Sequence, residues 1–121
     1  MKETFGGYIA RKRIERGLGL RGFAADLGIG APYLCDVEKD RRWPPEEPLL
    51  GRIADSLGLE GEERDHCYDL AGEFRGEVPA DVSHYVREND VVRMALRRAN
   101  TAGASEAEWL RFIRQLEGKD K

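Results

Sequence analysis

The chain is poor in the features that fix metals, membranes or large active sites. It holds two cysteines, Cys35 and Cys67, and no Cys-x-x-Cys pair. Structural zinc sites pair their ligands about two to four residues apart. Cys35, His66, Cys67 and His84 lack that arrangement, so no metal is expected. No apolar run exceeds three residues, so nothing is expected to span a membrane. The first residues, MKETFGGYIARKRIERG, hold no apolar run of the about 7–15 residues typical of a signal peptide. The expected compartment is the cytoplasm, with both thiols reduced.

Chemistry-bearing motifs are also missing. There is no Gly-x-x-x-x-Gly-Lys-Ser/Thr loop, no His-Glu-x-x-His and no dinucleotide fingerprint. Ser83 and His84 are neighbours on one helix and point about 100° apart, so they do not pair as nucleophile and base. The chain of 121 residues falls short of the roughly 200 that barrel and doubly wound enzymes need. Neither an enzyme nor a cofactor is expected.

What is present is charge. Charged residues make up 36% of the chain and hydrophobic residues 40%, with a net charge of −3. Residues 1–58 carry a net +1 and residues 59–121 a net −4. An acidic protein can still bind a polyanion if its cations gather on one face.

The apolar residues recur at helical spacing. Phe5, Tyr8 and Ile9 form one stripe. Leu20, Phe23, Ala24 and Leu27 form a second, and Leu50, Ile53, Ala54 and Leu57 a third. Cys67, Leu70, Ala71 and Phe74 make a fourth, and Trp109, Phe112, Ile113 and Leu116 a fifth. The last four fit i, i+3, i+4, i+7 without a miss, and strand-like alternation is absent, so the expected class is all-α. Gly17, Gly19, Gly28 and Gly30 punctuate the first three helices. Trp43-Pro44-Pro45 marks an extended loop, Pro48 suits the start of a fourth helix, and Gly61 precedes a fifth. Gly76-Glu77-Val78-Pro79 is the best hinge candidate, dividing a domain of residues 1–75 from a helical extension of residues 76–121. In that extension Val82, Tyr85 and Val86 share a face, as do Val92, Ala95, Leu96 and Ala99. Ser105 and Glu108 have the spacing of a capping box.

Residues 9–59 carry the functional signal. Their second and third helices are joined by Leu27-Gly28-Ile29-Gly30. A short turn with glycine sets the later helix at a steep angle, and a helix that projects can enter a DNA major groove about 12 Å wide. The pieces Arg13, Gly17-Leu18, Phe23-Ala24, Leu27-Gly28-Ile29, Tyr33-Leu34, Val37-Glu38, Ile53-Ala54 and Leu57-Gly58 resemble the helix-turn-helix domain of the XRE family, which includes lambdoid phage repressors and Cro proteins. The resemblance covers roughly half of the chain. It implies a lambda-repressor-like five-helix DNA-binding domain, with Arg13 and Glu38 as a buried ion pair between the first and third helices. It places Ala31, Pro32, Tyr33, Cys35 and Asp36 on the base-facing side of the recognition helix. It assigns Arg21, Lys39, Arg41 and Arg42 to phosphates. It also implies a repressor-like transcriptional regulator that binds double-stranded DNA as a homodimer, in the cytoplasm and at the nucleoid.

The chain departs from the family where Gly19 and Gly30 stand at positions that often hold Ser or Thr. Its recognition face also lacks Gln, Asn, Arg and Lys, the usual readers of adenine and guanine. Ala31 and Pro32 can touch a thymine methyl, and Asp36 can accept from a cytosine amine. Direct readout should therefore be weak, with phosphate contacts dominating affinity. Trp109, Phe112, Ile113 and Leu116 are expected to form a dimer or partner face, or to pack on the fifth helix of their own chain. A second reading stays open: an antitoxin-like or adaptor module that binds a protein partner such as a toxin, its DNA contact secondary or lost.

Overall fold

The computed structural model describes residues 2–119. Among these the chain is helical throughout: α1 (Phe5–Glu15), α2 (Leu20–Leu27), α3 (Ala31–Glu38), α4 (Leu49–Ser56), α5 (Gly61–Arg75), α6 (Ala80–Glu88), α7 (Asp90–Ala102) and α8 (Glu106–Gly118). None of these helices is long and apolar enough to cross a membrane. The chain forms two compact units, one running to Ser83 and one beginning at His84.

The first unit is built by the stripes read above. Phe5, Tyr8 and Ile9 of α1 meet Phe23, Ala24 and Leu27 of α2, and Leu34 and Val37 of α3. Leu50, Ile53 and Ala54 of α4 close the core with Cys67, Leu70 and Ala71 of α5. Burying each large side chain contributes about 1.5–3 kcal/mol. α1 packs on α3 and α5, α2 on α3 and α4, and α4 on α5. Residues 76–79 fold back on α5 and do not break away there: the Glu77 N–H donates to the Gly72 carbonyl at 2.9 Å. A Cβ on Gly72 would stand 2.8 Å from the Glu77 carbonyl oxygen. Ala80 still packs on the core, and the unit accordingly extends past residue 75.

Two contacts fix α3 on α1. Arg13 donates from Nε to Glu38 Oε2 at 2.7 Å and from Nη2 to Glu38 Oε1 at 2.9 Å, while its Nη1 donates to the Leu18 carbonyl at 2.8 Å. The two side chains are only 14% and 7% exposed, and the hydrogen bonds to Glu38 raise the guanidinium further above its ordinary value. Such a fork adds geometric specificity to attraction.

The second contact is Asp40. α3 ends with the Asp40 N–H on the Val37 carbonyl and the Arg41 N–H on the Asp36 carbonyl. This double closure places its C′ residue in the left-handed region, where glycine is usual. Here that residue is Asp40, at φ 59°. Its carboxylate accepts from the Gly6 N–H at 3.0 Å and from the Thr4 hydroxyl at 2.6 Å, and Thr4 Oγ1 in turn accepts from the Gly7 N–H at 3.1 Å. A carboxylate therefore meets the positive end of α1. Gly6 makes the approach possible, since a Cβ there would lie 2.3 Å from the Val37 carbonyl oxygen.

In the second unit α7 and α8 are separated by Gly103 to Ser105, and Ser105 with Glu108 forms the expected capping box. Asn89 stands at the N-cap of α7 without a cap bond; its amide donates instead to the Tyr85 carbonyl at 2.7 Å. Arg93 donates to the Val86 carbonyl at 2.7 Å and contacts Asp90. No residue of α7 or α8 is buried.

Two predictions follow from this packing. Gly6→Ala and Asp40→Ala should each destabilise the fold by about 1–3 kcal/mol, through overpacking and through loss of a cap held by a strained residue; urea denaturation measures both. Burial pushes the Cys67 thiol up to about 12 and raises Tyr8 and Tyr68. In each case the unfolded chain ionises first. The stability that these three groups contribute is therefore fully present below the unfolded thiol's pKa of about 8.5 and is lost as pH rises toward 12. Cys67→Ala should move the onset of that decline in the urea midpoint to about pH 10, where tyrosines begin to ionise.

Candidate nucleic-acid interface

The turn between α2 and α3 is closed by backbone geometry. Gly28 takes φ 73°. Its N–H donates to the Ala25 carbonyl at 3.1 Å, and the Ile29 N–H to the Ala24 carbonyl at 3.0 Å. Arg52 of α4 donates to the Leu27 carbonyl at 3.2 Å, which ties the end of α2 to the core. Ile29 packs on the core edge. Gly30 then starts α3 in an extended conformation without a side-chain cap. Pro32 falls in the first turn, where no N–H is needed.

α3 buries Leu34 and Val37. Helical spacing puts Pro32, Cys35, Asp36 and Lys39 around the opposite side. Ala31 and Tyr33 flank the buried face and pack in part against the core. Of the five residues expected to face bases, Pro32 is exposed, and Cys35 and Asp36 are half-buried. This outer surface offers a short apolar patch and one carboxylate.

The cations around it fall into two groups. Arg21, near the start of α2, and Lys39, at the end of α3, are exposed and make no ion pair among the described residues. Arg41 and Arg42 are 65% and 58% exposed, and both lean toward Asp36. Arg41 Nη1 lies 3.6 Å from Asp36 Oδ1, and Arg42 Nε lies 3.8 Å from Asp36 Oδ2. The Arg42 guanidinium also stands over the Tyr33 ring at 5.5 Å. The loop that carries them is held at its far side. Pro44 and Pro45 are buried. Trp43 packs edge-on against Phe74 at 5.8 Å, beneath the Arg75 guanidinium at 5.4 Å.

The run Arg11-Lys12-Arg13 is not a basic patch. Arg11 pairs with Glu3 and Glu15, Lys12 with Glu63, and Arg13 with Glu38. Two features of the interface were not read from the sequence. Asp36 faces Arg41 and Arg42 across the end of α3, and Asp40 anchors that end to α1. The signal for both was a pair of acids flanking Val37-Glu38-Lys39, at the spacing where a helix stops. On α8 the stripe Trp109, Phe112, Ile113 and Leu116 is between 39% and 48% exposed. Among the described residues none of α8 is buried; Trp109 and Phe112 touch edge to face at 6.2 Å.

The family profile of the helix-turn-helix domain matches residues 4–67, the segment that holds α1 to α4 and the first part of α5. No curated protein sequence matches the chain. Among solved structures, one titled as a SinR protein/SinI protein complex is similar at 19% identity and a TM-score of 0.47, over 97% of this chain and 98% of that one. With the profile spanning more than half of the residues, and α2 and α3 forming the motif that gives the family its name, the chain belongs to the helix-turn-helix domain family.

Proposed function

We propose that this protein is an XRE-type transcriptional regulator that seats α3 in the major groove of duplex DNA and binds as a symmetric homodimer. The observation that carries this reading is the surround of α3: an outward face of a short apolar patch and one carboxylate, ringed by exposed Arg21, Lys39, Arg41 and Arg42. The first turns of α2 and α3 add unpaired backbone N–H groups that favour phosphate oxygens. Ala31, Pro32, Tyr33, Cys35 and Asp36 meet the base edges. With no Arg, Lys, Asn or Gln among them, sequence preference rests on methyl contacts, groove shape and half-site spacing. The dimer face is the exposed stripe Trp109, Phe112, Ile113 and Leu116. Two-fold pairing then sets the α3 helices about 34 Å apart, one turn of duplex.

A second reading is an adaptor or antitoxin-like module that uses the α8 stripe to hold a different protein, such as a toxin. The same lack of base-reading side chains on α3 favours it.

Fluorescence anisotropy with duplex fragments decides between the two. For a DNA binder, log K falls linearly with log salt at about −0.9 per phosphate contacted. Arg41→Ala with Arg42→Ala should weaken all sequences about equally and flatten the slope by about 2 per protomer. Absence of binding at about 50 mM salt, where phosphate-held complexes are strong, selects the adaptor. Light scattering on Trp109→Ala with Phe112→Ala tests the dimer: the expected mass falls from twice 13.7 kDa to 13.7 kDa, with helical content retained. An unchanged mass places the interface elsewhere.

A further inference from the structure

The structure contains two kinds of arginine–carboxylate pair, and the contrast between them is informative. Arg13 and Glu38 form a bidentate fork at 2.7 and 2.9 Å, nearly closed to solvent. Arg41 and Arg42 share one acid, Asp36, at 3.6 and 3.8 Å, beyond hydrogen-bond length and with more than half of each guanidinium side chain exposed. The first pair is locked. The second is loose, single-pointed and open to exchange. An exposed pair of that sort is weak, and a guanidinium exchanges it readily for an anion that offers a better fork.

We propose that Asp36 is an internal competitor for the DNA phosphates. It draws Arg41 and Arg42 toward α3 in the free protein and is displaced from them when the backbone of a duplex arrives. This rests on the DNA-binding reading above and assigns a regulator of affinity within that site. A phosphate-held interface grips every sequence alike, which is a burden for a face with few base contacts. A carboxylate that opposes two of the four cations lowers this uniform grip. Discrimination then depends more on the contacts and spacing that differ between sites. Tyr33, under Arg42 at 5.5 Å, gives that guanidinium a second resting place on α3.

The test is a double-mutant cycle. Asp36→Asn, Arg41→Ala with Arg42→Ala, and the triple variant are titrated with a mixed-sequence duplex of about 30 base pairs, roughly three helical turns. Salt is varied from about 50 to 200 mM, the range over which phosphate contacts weaken most visibly. Retention on heparin is measured in parallel. Asp36→Asn should tighten duplex binding about three- to tenfold at the lowest salt and elute later from heparin. In the background lacking both arginines the gain should fall below about twofold, because the groups it releases are gone. Three results would overturn the proposal. One is no tightening. Another is weakened binding, which would make Asp36 a cytosine reader. The last is an equal gain without the arginines, which would mean plain repulsion between the carboxylate and DNA. Each leaves the DNA-binding reading intact as long as the arginine variant weakens the wild-type complex. A wild type that binds no duplex and is indifferent to loss of both arginines sinks that reading, and this proposal with it.

Discussion

The placement of α3 depends on how closely its end can approach the start of α1. At Gly6 the two backbones meet with no room for a methyl group, and the carboxylate of Asp40 fills the space that remains by accepting from the Gly6 N–H and the Thr4 hydroxyl. The cost is a non-glycine residue in the left-handed region. It is offset by a charge held at a helix N-terminus. About two turns along α1, Arg13 ties the same two helices together through Glu38 and also reaches the α1–α2 connection. The ion pair orients more than it stabilises, since desolvation cancels much of its attraction. Between them these contacts leave α3 a single way to sit, and everything on its outer side inherits that geometry.

The outer side is governed by charge management. The net charge is −3, yet the cations nearest α3 stand largely clear of acids, while those of α1 are neutralised one by one by Glu3, Glu15, Glu38 and Glu63. A chain with excess acid thus keeps one surface available to a polyanion by spending its carboxylates elsewhere. Asp36 is the exception, and its position between the helix and the two loop arginines makes it the residue through which the strength of that surface is set. The loop itself does not wander, because Trp43 is wedged between Phe74 and Arg75 and two buried prolines follow.

Much of this architecture was legible in the residue pattern. Stripes at i, i+3, i+4, i+7 located α2, α4, α5 and α8. Gly17 and Gly28 marked helix ends where each now has positive φ. Helix signals are local, repeated every turn and backed by steric rules, so they survive without knowledge of the neighbours. The Arg13–Glu38 pair came from a family resemblance and not from spacing, because a separation of 25 positions carries no periodic cue to a long-range contact. Asp40 was unread for a related reason: an acid after a helix looks like an ordinary turn residue until another helix brings its N–H groups alongside. Likewise the hinge expected at 76–79 rested on local propensity alone, whereas Gly72 lets that segment lie back on α5.

The sequence by itself determined the all-helical class, the helix stops, and which faces are apolar, since each of these follows from backbone propensity and from periodicity over a few residues. Tertiary structure alone decided which apolar faces are used up. The stripe of α4 became core and the equally apolar stripe of α8 stayed half open to solvent, a difference that no local pattern encodes, because burial depends on what other surface is present to cover it. It also decided which charges are free. Arg11 and Arg41 are alike on paper, and only the placement of Glu3, Glu15 and Asp36 in space separates a pinned cation from one that can change partners.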